Sequence, residues 1–176
     1  MMEATARPAS STPLVDIVVQ SARWRSEPEA EMTVRRAIAE AAVATSIRGA
    51  AELAIVLTDD TAIRALNRAW RGLDEPTNVL SFPAGKVSAR DAPAPLGDIV
   101  IAYETTAHEA ATEGRPFAHH LAHLAVHGFL HLLGYDHESD DDADAMEDLE
   151  RTILARLDVP DPYTARHTEL DADRHA

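Results

Sequence analysis

Apolar positions along this chain recur with two different periods, and the switch from one to the other marks out its elements. The run LVDIVVQ from Leu14 is short and rich in β-branched residues, and ELAIVLT from Glu52 is a continuous apolar stretch, so both are expected to be strands. Between them an Ala-rich stretch from about Glu29 to Ala44 carries apolar residues at helical intervals. Asp59 or Asp60 can cap the next helix, whose Ile63, Leu66 and Trp70 are expected to face the core while Arg64, Arg68 and Arg71 share a neighbouring stripe. RGLDEPTNVLSFPAG then combines a turn with a short strand from Asn78 to Phe82, closed by Pro83 and Gly85. LGDIVIAY supplies a fourth strand with Gly97 and Asp98 at its start, and ETTAHEAATEG supplies a helix stopped by Gly114. Pro116 suits the first turn of a helix running to about Leu133, and a last helix spans roughly Asp140 to Leu157 before Pro160 breaks it. The order β-α-β-α-β-β-α-α-α predicts an α/β (α+β) fold, a mixed four-stranded sheet packed with about five helices.

At 176 residues the chain suits one domain, expected over residues 13–165. The polar, proline-containing segment 1–12 and the tail 166–176 have little to bury and are expected to be disordered. No apolar stretch approaches the roughly 20 residues of a membrane span, and MMEATARPASST lacks the hydrophobic region of a signal peptide. A cytoplasmic protein with no membrane partner is therefore expected. The absence of cysteine fits a reducing compartment.

A formal charge of −14 argues against broad affinity for nucleic acid, which depends on Lys and Arg releasing counterions from phosphates. The charge is uneven, however. Acidic residues crowd between Glu138 and Glu150, where a run of this kind usually marks a solvated face. From Ile63 to Arg90, Arg64, Arg68, Arg71, Lys86 and Arg90 stand against only Asp74 and Glu75, so a local basic surface can form there.

The strongest chemical signal is HGFLHLLGYDH, in which His127, His131 and His137 follow the spacing His-x3-His-x2-Gly-x2-His. On a helix, residues four apart lie on one face, so His127 and His131 offer two imidazoles to one point. Gly134 ends the helix and lets the chain turn so that His137 can return as a third ligand. Three protein ligands with an open fourth position make a catalytic rather than a structural zinc site. Hydrolysis is the natural reaction class. Metzincin proteases share this spacing but carry a glutamate after the first histidine, and here that position is Gly128. Phosphodiester cleavage relies more on stabilising spread negative charge, which a metal and an arginine can supply.

HGFLHLLGYDH, together with RGLDEPTNVLSFP, LGDIVI and the late DPY, resembles the bacterial YbeY family of endoribonucleases, also described as rRNA maturation factors. The likeness runs from about Leu14 to Tyr163. It implies a zincin-like fold, one zinc ion, and a single-strand-specific RNase acting in rRNA processing, small-subunit rRNA 3′-end maturation and 70S ribosome quality control. Implied partners are single-stranded rRNA and the small ribosomal subunit with its proteins; DNA is not expected. Carried over by position, His127, His131 and His137 match the family's metal ligands. Arg71 matches an arginine regarded as functional and is assigned to the scissile phosphate.

Other residues carry weaker expectations. His123, one turn before His127, is either a proton shuttle or a hydrogen-bonded supporting histidine, and His120 is expected to be the latter. Asp136 and Asp98 could each orient a ligand imidazole, or cap a turn. Met146 is expected in the core of the last helix. His167 and His175 fall in the polar tail, and His108 and His119 carry no spacing signal. Two other functions stay open: a zinc metalloprotease-like hydrolase, and a ribosome assembly factor whose metal is structural and whose acidic last helix binds basic proteins.

Overall fold

A computed structural model describes residues 12–47, 50–85 and 93–164. Most of the segment 1–12, Lys86, Arg90, His167, His175 and the tail 166–176 lie outside the described residues. Among the described residues four strands form one sheet: β1 (Leu14–Val19), β2 (Ala51–Thr58), β3 (Val79–Pro83) and β4 (Ala94–Ala102). Its helices are α1 (Ala30–Ala44), α2 (Asp60–Arg71), α3 (Tyr103–Thr112), α4 (Phe117–Leu132) and α5 (Asp140–Arg156), with a short 3-10 turn at Ala22–Ser26. The sheet runs β1-β2-β4-β3, with β1, β2 and β4 parallel and β3 antiparallel on the edge. The mixed four-stranded sheet and its helices match the expected class and order.

Strand alternation divides the core in two, because successive side chains point to opposite faces. Leu53, Ile55 and Leu57 of β2, with Ile99 and Ile101 of β4, meet Val34 and Ile38 of α1, Leu121 and Phe129 of α4, and Ile153 and Leu154 of α5 in the main core. On the other face Ile63 of α2 packs with Leu80 and Val100 in a smaller cluster, joined at its edge by Leu66 and Phe82. Burial of α4 on most sides follows from its composition, which is apolar except for its histidines. Met146 is buried, as expected.

Three expectations shift. Trp70 does not face the core: it is 72% exposed and touches Phe82 edge-on at the rim of the sheet. The fourth strand begins at Ala94, so Gly97 and Asp98 sit within it, beside the register shift between β2 and β4. The short strand starts at Val79 and reaches Pro83, one residue later at each end than expected. Asp59 is the cap of α2, accepting from the Ala62 N–H at 3.0 Å. Among the described residues no helix is long and apolar enough to cross a membrane.

Candidate metal centre

Between His120 and Leu132 only His123, His127 and His131 escape full burial, and they form a single stripe along α4. His123 and His127 of that stripe face a cleft of about 500 Å3 between α4, α5, α3 and the start of β3, shared with Asn78, Glu109, His137, Glu150 and Tyr163, while His131 lies outside its lining. At the helix end, Gly134 adopts φ of 91°, in the left-handed region other residues resist, and the chain turns back. The Tyr135 N–H returns to the Leu130 carbonyl at 3.1 Å, the closing bond of a glycine helix stop. His137 is thereby carried back over the helix, its ring 5.2 Å from that of His131 and 5.9 Å from that of His127.

Nitrogens from His127, His131 and His137 all lie within 4.8 Å of one another. The Nε2 atoms of His127 and His131 are 3.0 Å apart. Zn–N bonds of about 2.0–2.1 Å in a tetrahedron place neighbouring nitrogens about 3.3 Å apart, so this donor set fits a small divalent ion. Burial, followed by repulsion from His127 and His137, lowers the pKa of His131, which keeps that ring neutral and its lone pair available.

Behind the triad stands Glu150, whose side chain is fully buried. His127 Nδ1–H donates to its Oε1 at 2.7 Å, His123 Nε2–H donates to its Oε2 at 3.2 Å, and the Tyr163 hydroxyl donates to the same Oε2. Burial pushes the Glu150 carboxyl up, but the hydrogen bonds and charges of His123 and His127 outweigh it and hold the pKa down to about 2. An ionised carboxylate only accepts, so the proton of His127 sits on Nδ1 and its Nε2 faces the cleft.

Several candidate residues take other places. Asp98 is exposed in a groove with Asp16 and Glu52 on the face of the sheet opposite α4, so it cannot orient a ligand imidazole. The neighbouring Ile99 points the other way and packs on Gly128. Asp136 Oδ1 accepts the His137 N–H at 2.7 Å and stands 4.0 Å from His137 Nδ1, beyond hydrogen-bond reach of that imidazole. His120 is buried and bonded to Glu109 at 2.7 Å, the supporting role expected of it. Arg71 is exposed at the end of α2 and is not among the residues lining the cleft.

Glu150 was hidden inside the acidic run of α5. Its signal was its spacing: it lies four residues after Met146 and three before Ile153, on the apolar stripe of the helix.

A family model described as Endoribonuclease YbeY matches residues 17–158. A protein of Rhodopseudomonas palustris (strain BisA53) named Endoribonuclease YbeY is 58% identical over 166 residues, covering 92% of this chain and 96% of its own. Namesakes from Bradyrhizobium diazoefficiens and Nitrobacter winogradskyi are 56% and 58% identical over 159 residues, each covering 88% of this chain and respectively 87% and 84% of their own. The solution structure of TM1509 from Thermotoga maritima shares the fold, with a TM-score of 0.50 at 20% identity over 82% of this chain and 91% of that one.

Proposed function

Because the chain belongs to the Endoribonuclease YbeY family, we propose that it is a zinc-dependent endoribonuclease that cuts single-stranded rRNA, with one ion held by His127, His131 and His137. The observation that carries this reading is the convergence of three imidazoles, their nitrogens within 4.8 Å of one another, with a buried carboxylate behind His127. An ion bound there would supply a Lewis acid that draws charge from a phosphoryl oxygen and makes water a usable nucleophile at neutral pH.

Arg71 grips the scissile phosphate on this reading, since its planar fork matches phosphate geometry and never loses its charge. Its exposure at the end of α2 and its place in WRGLDEPTNVLSFP support the assignment. The bound strand then has to run from α2 to the cleft. His123 carries a proton at the inner end of the cleft, where its Nε2 already meets Glu150 and Tyr163. Residues 13–165 form the catalytic unit. Its work is small-subunit rRNA 3′-end maturation and 70S quality control in the cytoplasm, with the small ribosomal subunit as partner. The exposed acidic first turn of α5 favours an additional contact with basic ribosomal proteins.

A protease reading meets an obstacle at Gly128, where an added Cβ would lie 2.9 Å from Ile99 Cγ2, leaving no space for a general-base glutamate. The test is cleavage of single-stranded rRNA fragments by protein loaded with zinc, stripped by chelator, and reloaded. Activity should follow the zinc and disappear in His127→Ala. Arg71→Ala should lose about two to three orders of magnitude in rate, the usual cost of one transition-state donor. Undiminished cleavage by His127→Ala, or peptides cut faster than RNA, would refute the assignment.

A further inference from the structure

The turn Asp161–Tyr163 contributes no atom to the three-histidine site, yet it is tied down from several sides. Arg115 donates to the Pro162 carbonyl, and Tyr163 N–H donates to Asp161 Oδ1 at 2.8 Å. Arg151 reaches Asp161 at 3.4 Å and lies 5.1 Å from the centre of the Tyr163 ring. So held, the Tyr163 hydroxyl lands on Glu150 Oε2, while Oε1 of the same carboxylate takes the proton of His127. We propose that Glu150 is the positioning residue for His127 and that Tyr163 locks it, so that this turn tunes how tightly the three-histidine site holds its ion.

The inference rests on the metal reading, and the physical reason is short. A carboxylate that accepts from Nδ1–H fixes both the tautomer and the ring plane, leaving Nε2 as the donor atom. A carboxylate free to rotate does neither. Tyr163 and His123 both engage Oε2, which leaves Oε1 to His127.

Zinc affinity, read by competition with a chromophoric chelator, is the test. Glu150→Gln keeps the volume and one accepting oxygen but not the charge, and should weaken binding about 10–100-fold. Tyr163→Phe should weaken it by a smaller factor, about 3–10-fold, for the loss of one hydrogen bond to the carboxylate. Wild-type affinity in both variants would overturn the proposal. So would two ions per wild-type chain, since Glu150 with His123 and His127 would then be a ligand set of its own. Imidazole nitrogen NMR of the metal-free protein gives an independent readout: His127 should carry its proton on Nδ1 in the wild type and lose that preference in Glu150→Ala. A proton on Nε2 in the wild type overturns the positioning role whatever the zinc result. A wild-type chain that binds no zinc but shows the Nδ1 proton supports the positioning role and refutes the metal reading instead.

Discussion

Gly128 shows how little freedom a single position next to a candidate ligand can have. A Cβ there would stand 2.9 Å from Ile99 Cγ2 and 3.1 Å from Ser81 Oγ, and Ile99 is a fully buried neighbour, stiff because it is β-branched, so something must shift to admit it. Gly128→Ala should therefore cost about 1–3 kcal/mol, seen as a lower urea midpoint at unchanged slope. A variant as stable as the parent would mean that α4 can lift off the sheet. A second residue-scale expectation concerns acid. Burial pushes the Glu109 carboxyl up, but hydrogen bonds from His120 and Asn78 bring it below its ordinary 4.5. Its folded pKa is thus depressed, so its contribution is complete above about pH 4.5 and is lost as pH falls through the lowered value. Glu109→Gln should flatten the fall in urea midpoint below that pH; an identical acid limb would remove the role. The histidine triad was readable at this scale because helical spacing and a terminal glycine are local rules. Glu150 was not, because burial of one carboxylate among many exposed ones is decided by the neighbours of α5. Asp98 was misjudged for a related reason: which face of a strand it uses cannot be read until the partners of that face are known.

Helices were legible to within a residue or so at most of their ends, since caps and stops are written locally. Ser139 accepts the Asp142 N–H at 3.2 Å at the start of α5, and Asp140, Asp141 and Asp142 place negative charge where the helix dipole is positive. Ser139→Ala should cost about 1 kcal/mol in a denaturation series, with zinc affinity unchanged if α5 stays docked. A concurrent fall in affinity would show that fraying at Ser139 reaches Glu150. Trp70 marks the limit of reading elements from periodicity. It shares a helical face with Ile63, but the last turn of α2 lies at the rim of the sheet, where Trp70 meets the Phe82 ring and stays 72% exposed. Period specifies a direction and is silent on whether anything lies in that direction.

For the whole molecule the order of elements was foreseeable and the pairing of strands was not: β4 inserts between β2 and β3, a long-range choice without a local marker. The formal charge of −14 sets how such a protein meets a polyanion. With 16 Lys and Arg against 30 Asp and Glu, and Arg64 already engaged by Asp74 through two hydrogen bonds, few phosphates are expected to be neutralised. The log–log dependence of RNA affinity on salt should be shallow, with a slope between about −0.7 and −2 for one to three contacts on a single strand. A slope steeper than about −4 would demand more cations than the exposed Arg68 and Arg71 of α2 supply. Synthesis adds a constraint in time, because a chain leaves the ribosome from its N-terminus. His127, His131 and His137 emerge before Glu150 and Tyr163 do. On the reading proposed above, a newborn copy would hold its histidine cluster unbraced while still attached to the ribosome, and would gain its brace only as Glu150 and Tyr163 are delivered.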